Sequence, residues 1–266
     1  MGMRDDRAAA AGAVPALPVL DLGIAPYAPL QELQGRLRTA VADGMLPGVI
    51  LLLEHEPVIT LGNRGVEADL RDPALALSRG VEVVTSERGG QATLHAPGQL
   101  ILYPVVRIPR RDLRAFVRDL EEVFVVVLAA HGVAAHRRDG HPGLYVSGAE
   151  EVSGATKASG AAEASGAKDV SGAKIMSVGL RCHRWVASHG ASFNVSVDLS
   201  LFDLVVSCGE AGLRQTSLDR LTGRAHAMGD VKMSCLDAMR RVFGWELAPP
   251  LEVPYTAVQQ ALGLRP

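Results

Sequence analysis

Cys208 ends an apolar run and opens a glycine turn, in Leu204-Val205-Val206-Ser207-Cys208-Gly209-Glu210-Ala211-Gly212. A thiol delivered in this way is placed to act as a nucleophile, because its thiolate can meet backbone amides at the turn. The alternative is a small buried hydrophobe, the common state of a free cysteine. Cys182 and Cys235 lie in strand-like and helix-like patterns and read as core. Lys174 opens another apolar run, Lys174-Ile175-Met176-Ser177-Val178-Gly179-Leu180-Arg181. A lysine entering such a run is partly desolvated, and its ammonium beside a cysteine favours the thiolate. A solvated strand-end lysine is the other reading.

Two glycine-bearing segments accompany this pair. The first is Arg88-Gly89-Gly90-Gln91-Ala92-Thr93-Leu94-His95-Ala96-Pro97-Gly98-Gln99. Glycine has no Cβ, so such a loop lets backbone amides approach a ligand closely; taken alone, it reads more readily as a tight turn. The second is His189-Gly190-Ala191-Ser192-Phe193-Asn194-Val195, a polar-glycine junction before an apolar run. The eight histidines show no metal-ligand spacing. No phosphate-cradling Walker A pattern occurs. Neither a metal nor a cofactor is expected.

The elements that must hold these residues follow from periodicity. Val81–Thr85 and Leu100–Val106 flank the first glycine segment and read as buried strands. Leu30, Leu33, Leu37, Val41 and Met45 predict a helix over 29–46, stopped by Pro47-Gly48. Val49–Leu53 reads as a strand and residues 55–62 as an ordered loop. Residues 112–131 carry the clearest amphipathic stripe, with Asp112 as N-cap and Gly132 as the stop. Short strands are expected near 133–137, 143–146, 175–181 and 191–197, and helices over 230–243 and 255–263. Strands and helices interleave without a strict βαβ rhythm. The expected fold class is therefore α/β (α+β), a mixed β-sheet flanked by helices and not a doubly wound one.

Composition bounds the rest. The 266 residues can bury a sizeable core. With 48% hydrophobic but only 4% aromatic residues, that core must be mainly aliphatic. The net charge of −2 gives no basic footprint for nucleic acid. No apolar run approaches the roughly 18 residues of a membrane span. Residues 1–18 lack the pattern of a signal peptide and read as a disordered N-terminal tail. Three cysteines without close spacing suit a reducing, cytoplasmic setting.

Residues 146–173 are a hexapeptide repeat built on Val/Ala-Ser-Gly-Ala. A parallel β-helix would need a larger apolar residue at each turn. Units of Ser, Gly and Ala bury too little surface to offset ordering entropy, so 147–173 reads as a flexible surface insertion. Gly166-Ala167-Lys168 copies Gly172-Ala173-Lys174, so two lysines compete for one role. Only Lys174 continues into Ile-Met-Ser-Val-Gly-Leu-Arg.

In order and spacing, four motifs together resemble the lipoyl(octanoyl) transferases: Arg-Gly-Gly-Gln-x-Thr-x-His-x-Pro-Gly-Gln, Lys-Ile-x-Ser-x-Gly-Leu-Arg, His-Gly-x-x-x-Asn-Val and Cys-Gly-x-x-Gly. His55-Glu56-Pro57-Val58 and Gly62 add an upstream match. Leu94, Ala96, Phe193, Ser196 and Ser207 depart from the residues usual in that family. The resemblance implies a biotin/lipoyl protein ligase catalytic domain over 19–247, with 248–266 as a C-terminal extension. It implies transfer of an octanoyl group from octanoyl-acyl carrier protein, through a cysteine thioester, to the lysine of a lipoyl domain. The acceptors would be the lipoyl domains of 2-oxoacid dehydrogenase complexes and the glycine cleavage H protein. Cys208 would carry the acyl group, while Lys174 would favour the thiolate and shuttle protons. Arg88, Gly89, Gly90, Gln91, Ala92, Thr93, Leu94 and His95 would line the acyl site, with Ser177, Val178, Gly179, Gly190, Ala191 and Ser192. An ATP-dependent lipoate or biotin ligase of the same fold is the alternative enzyme. An inactive module that binds acyl carriers or lipoyl domains is the non-catalytic one.

Overall fold

The structure, a computed structural model, describes residues 16–147 and 172–264. The elements run β1 (Val19–Ala25), α1 (Tyr27–Ala42), β2 (Gly48–His55), β3 (Val58–Leu61), α2 (Pro73–Ser78), β4 (Glu82–Thr85), β5 (Ala92–His95), β6 (Gln99–Val106), α3 (Leu113–Ala130), β7 (His136–Arg138), β8 (His141–Val146), β9 (Ala173–His183), β10 (Val186–Asn194), α4 (Leu218–Thr222), α5 (Met228–Phe243), β11 (Leu251–Glu252) and α6 (Val258–Ala261). An eight-stranded sheet has the order β11-β1-β2-β6-β10-β9-β8-β7, and a smaller sheet the order β4-β3-β5. β1 runs parallel to β2 and β11, while β2, β6, β10, β9 and β8 pair antiparallel in succession. The mixed α/β class follows from this mixture.

Both faces of the large sheet are covered. Along β2 and β6, Ile50, Leu52, Leu100 and Leu102 join the core beneath α3 and α5. Val49, Leu51, Leu53, Ile101, Tyr103 and Val105 join the core beneath α1. Successive strand residues point to opposite faces, so a strand buried on both sides reads as a continuous apolar run. α3 buries Phe116, Leu120, Val123, Phe124, Val127 and Leu128, and the Asp112 carboxylate accepts the Ala115 amide at 2.9 Å. Among the described residues, no helix is long and apolar enough to cross a membrane.

Several boundaries differ from expectation. α1 stops at Ala42 and Met45 is 65% exposed, because the chain has already turned at Gly44, where φ is +77°. Val58–Leu61 and Ala92–His95 are strands of the small sheet and not loops. Their four-residue length and flanking Pro and Gly hide them from periodicity. β4 is mostly exposed because it is an edge strand with a single neighbour. β10 begins five residues before the expected 191. β9 and β10 are joined by Arg184-Trp185 at φ +51° and +61°, so a two-residue hairpin is closed without the Asn-Gly signature such turns favour. Of the expected flexible insertion, 147–173, residues 148–171 lie outside the described residues, as do residues 1–15 of the expected tail, whereas Ala173 is already a buried residue of β9.

Candidate active site

Lys174 is the second residue of β9. Its N–H donates to the Arg214 carbonyl at 2.8 Å, and its own carbonyl accepts the Thr216 N–H at 2.9 Å. On the other side it pairs with Tyr145 of β8. The lysine backbone is thus clamped between a strand and the segment that follows the Cys208 turn. The side chain is only 2% exposed. Its Nζ donates to Cys208 Sγ at 3.2 Å and lies 5.2 Å from the centre of the Tyr145 ring. Burial works against the ammonium, but the Cys208 sulfur, and after it Tyr145, outweigh burial and raise the lysine pKa above its ordinary value.

Cys208 sits in a tight turn, Ser207–Gly209, with φ of +58°. A non-glycine residue in this region is strained, and such strain collects at functional sites. The turn is held from two sides. Val206 N–H donates to the Asp69 carbonyl at 2.7 Å. The Glu210 carboxylate accepts Arg138 at 3.1 Å and His141 at 2.6 Å, which ties the turn to the β7–β8 hairpin. Arg138 also lies over the Tyr145 ring at 4.5 Å.

The pair opens into a cavity of about 390 Å³. Of the residues singled out in the sequence, Arg88 to Thr93, His95, Ser177 to Gly179 and Gly190 to Ser192 all line it, together with Lys174 and Cys208. Leu94 does not. Its side chain is fully buried in the core of the small sheet, because strand alternation turns it away from its neighbours Thr93 and His95. Gly179 and Gly190 are direct partners across β9 and β10. A Cβ on Gly190 would overlap the Leu102 carbonyl, and one on Gly179 would press on Arg88 Cδ at 3.1 Å. Glycine here is a requirement of close packing. Arg88 is buried and braces the glycine loop against β3, donating to the Thr60 carbonyl at 2.6 Å and the Thr60 hydroxyl at 2.8 Å. Burial lowers its pKa.

The floor is made of rings. His95, Tyr103 and His189 line it, with Tyr27 and His55 packed behind. His55 bonds the Ala25 carbonyl and the Tyr103 hydroxyl, each at 2.9 Å. Burial drives His55 down to about 4 and His189 down to about 3, with Arg88 adding to the second. His95 is held well below the usual histidine range, by burial first and then by His55 and Arg88. These histidines are neutral at pH 7, so the floor offers uncharged ring faces. The His95 Nδ1–H donates to Gln99 Oε1 at 2.6 Å. Gln99 then donates to Asn194 at 2.8 Å, and Asn194 to the Thr216 carbonyl at 3.0 Å. This chain ends at the residue whose N–H holds the Lys174 backbone.

Sequence reasoning missed Glu210, His141, Tyr103 and the wall formed by Leu113, Val117 and Leu180. Glu210, two residues past the cysteine, was in plain view. Tyr103 could have been found as a polar residue inside an apolar strand. Among the described residues, no three His, Cys, Asp or Glu side chains are grouped to hold a metal ion.

A mixed sheet covered on both faces, with a strained cysteine and a buried lysine meeting at a glycine-lined cavity, defines a mixed α/β domain built around one cavity and its cysteine–lysine pair. The Lipoyl protein ligase A/B catalytic domain model matches residues 26–240, and the chain belongs to that family. An octanoyltransferase of Rubrobacter xylanophilus is 37% identical over 225 residues, which cover 84% of this chain and 91% of that protein. An octanoyltransferase of Syntrophotalea carbinolica is also 37% identical, covering 80% and 88%. Among solved structures, a lipoate-protein ligase A bound with ATP superposes with a TM-score of 0.67 at 14% identity, covering 93% of this chain and 94% of that one. A bi-partite lipoate protein ligase from Thermoplasma acidophilum gives 0.65 at 14%, covering 95% and 98%. At such identities these structures establish the fold alone.

Proposed function

We propose that this chain is an octanoyltransferase that takes its acyl group from octanoyl-acyl carrier protein onto Cys208 and passes it to the lysine of a lipoyl domain. The observation that carries this reading is the 3.2 Å contact between Lys174 Nζ and Cys208 Sγ in the wall of a cavity whose floor is made of neutral rings. The Cys208 thiolate attacks the donor thioester carbonyl. The tetrahedral intermediate collapses, the carrier's thiolate leaves, and it takes a proton from the Lys174 ammonium. A thioester replaces a thioester, so the step is nearly isoergic.

Acylation then changes the lysine. The Cys208 charge that supported the ammonium is gone, while burial remains, so Lys174 stays neutral after giving up its proton. A neutral amine is a base. It accepts the proton that the attacking acceptor lysine loses as its amine adds to the acyl-enzyme carbonyl. Cys208 leaves as thiolate, the amide forms, and the starting pair is restored. Thioester to amide runs downhill, so ATP has no part in either step. The acyl chain lies over Thr93, His95, Gly190 and Ser192, beside the neutral ring floor. The acceptors are the lipoyl domains of 2-oxoacid dehydrogenase complexes and the glycine cleavage H protein. The catalytic unit spans 19–247, and the setting is cytoplasmic.

Intact-mass measurement after mixing with octanoyl-acyl carrier protein tests the reading. The expected result is one octanoyl adduct that maps to Cys208, is absent from Cys208→Ala, and is lost on adding a lipoyl domain. Adduct formation that survives in Cys208→Ala overturns it, as does a requirement for ATP.

A further inference from the structure

A second cavity, about 560 Å³, lies beside the catalytic one. Ser207 and Glu210 of the cysteine turn wall it on one side, and Ala173, Gln215 and Thr216 on the Lys174 side. The two cavities meet at Glu210, which lines both. Three arginines line the second one, Arg71, Arg214 and Arg220. All three residues are exposed, and among the described residues none takes part in a salt bridge. The carboxylate of Glu210 is already taken by Arg138 and His141. Asp203, an exposed residue, is the other acidic group of the lining, so positive charge prevails.

A second, independent feature points the same way. Ser207 and Thr216 are both residues of this cavity's lining, and their hydroxyls are buried and have no hydrogen-bond partner among the described residues. Ser207 is 4% exposed and Thr216 is 1% exposed. Buried hydroxyls without partners are costly and uncommon in folded proteins. Two unpartnered hydroxyls and three arginines in one lining make up a donor set suited to an oxygen-rich anion, and guanidinium matches the geometry of phosphate oxygens. The set is also anchored to the catalytic pair. Arg214 gives its carbonyl to the Lys174 N–H, Thr216 gives its N–H to the Lys174 carbonyl, and Ser207 precedes Cys208 in the chain.

We propose that this second cavity binds a phosphate ester, namely the phosphodiester of the pantetheine arm that presents the octanoyl thioester to Cys208. The inference rests on the carrier-protein donor of the proposed function. An acyl carrier holds its thioester at the end of a pantetheine arm whose other end is a phosphodiester, so an anion site next to the nucleophile anchors the arm while its sulfur end enters the catalytic cavity.

The test compares two small donors, octanoyl-4′-phosphopantetheine and octanoyl-pantetheine, which differ only in the phosphate. Cys208 acylation is followed by mass, and KM by release of free thiol. Wild-type protein should use the phosphorylated donor at a lower KM, and inorganic phosphate should compete with that donor alone. Arg71→Gln/Arg220→Gln should raise KM for the phosphorylated donor about tenfold or more, the size expected for lost charge-assisted hydrogen bonds, and leave octanoyl-pantetheine unchanged. Ser207→Ala gives a second variant that alters no charge, and it should act in the same direction. Equal use of both donors by wild type, or equal losses with both in the variants, overturns the phosphate site. Failure of both donors to acylate Cys208 overturns the thiol-transfer reading instead.

Discussion

Gly209 lies against the side-chain amide of Gln91, so close that a Cβ on Gly209 would overlap it. The residue after Cys208 and the fourth residue of the glycine loop are therefore interlocked, and the cysteine turn cannot shift without moving the loop that lines the cavity. Gly209 also has φ of +67°, which a side chain adopts at a cost of about 1–2 kcal/mol. Gly209→Ala should lower stability by about that amount and push Gln91 out of its place. The expected result is a loss of about tenfold in Cys208 acylation rate. Gln91→Ala in the same chain should recover part of the rate and none of the backbone cost, a non-additivity that a double-mutant cycle reads directly. Additive losses in rate would show that the interlock has no effect on the thiol.

Lys174→Met keeps the length of the buried stem and removes the ammonium. The protein should fold, since the long side chain still fills the space beside Gly143 and Tyr145. Iodoacetamide labelling of Cys208 near pH 7 should slow by about tenfold, because the ammonium that donates to its sulfur is gone. Transfer to a lipoyl domain should be lost. Lys168→Met should change neither, although Lys168 stands in the same Gly-Ala-Lys sequence. Labelling that slows in Lys168→Met and not in Lys174→Met would assign the ammonium to the wrong lysine.

The contact between Lys174 and Cys208 and most of the cavity wall were legible because glycine, lysine and cysteine announce themselves at breaks between apolar runs. Position along a run is what the chain conceals. Leu94 lies inside the glycine segment, yet alternation along β5 sends it into the small core. Val58–Leu61 is a strand because two neighbours supply its hydrogen bonds, not because its own four residues show a period. Arg184-Trp185 closes a hairpin that its residue types do not advertise, and the start of β10 was lost with it. The clamp of Glu210 on Arg138 and His141 joins residues about seventy positions apart. No local pattern marks such a contact, since it exists only once β7 and β8 reach the sheet edge.

The ring floor predicts an acid-sensitive fold. His55 and His189 are held down to about 4 and about 3, while an unfolded histidine titrates near about 6.5. Between those values the unfolded chain binds protons that the folded chain does not. Their contribution to stability is therefore complete above about pH 6.5 and lost as pH falls toward 4 and 3. Urea unfolding at pH 7.5, 6.0 and 5.0 should show a steady drop in the midpoint. His189→Gln should be less stable than wild type at pH 7.5, having lost ring packing against Tyr27 and Tyr103, but should show a shallower drop. A slope unchanged in His189→Gln would place the acid sensitivity elsewhere.

The hexapeptide repeat offers a last test of how the site is built. Val146 and Ala173 are direct partners where β8 meets β9, so the chain leaves and re-enters the sheet at one place. Deleting residues 147–170 removes four hexapeptide units and leaves Val146-Ser171-Gly172-Ala173. Two residues, Ser171-Gly172, then span partnered positions, the length that closes the commonest hairpins, and Gly172 already sits at φ of +132°. Loop-closure entropy changes by only about 0.6 kcal/mol per doubling of length, so the shortened protein should melt at the wild-type temperature or slightly above it. Lys174 pairs with Tyr145, next to the join, and its backbone is held on the far side by residues 214–216. Its contact with Cys208 should therefore survive, and acyl transfer should hold or rise. A deletion variant with a wild-type melting curve but no Cys208 acylation would show that the repeat shapes the site itself, and that the hairpin is not sufficient to set the lysine.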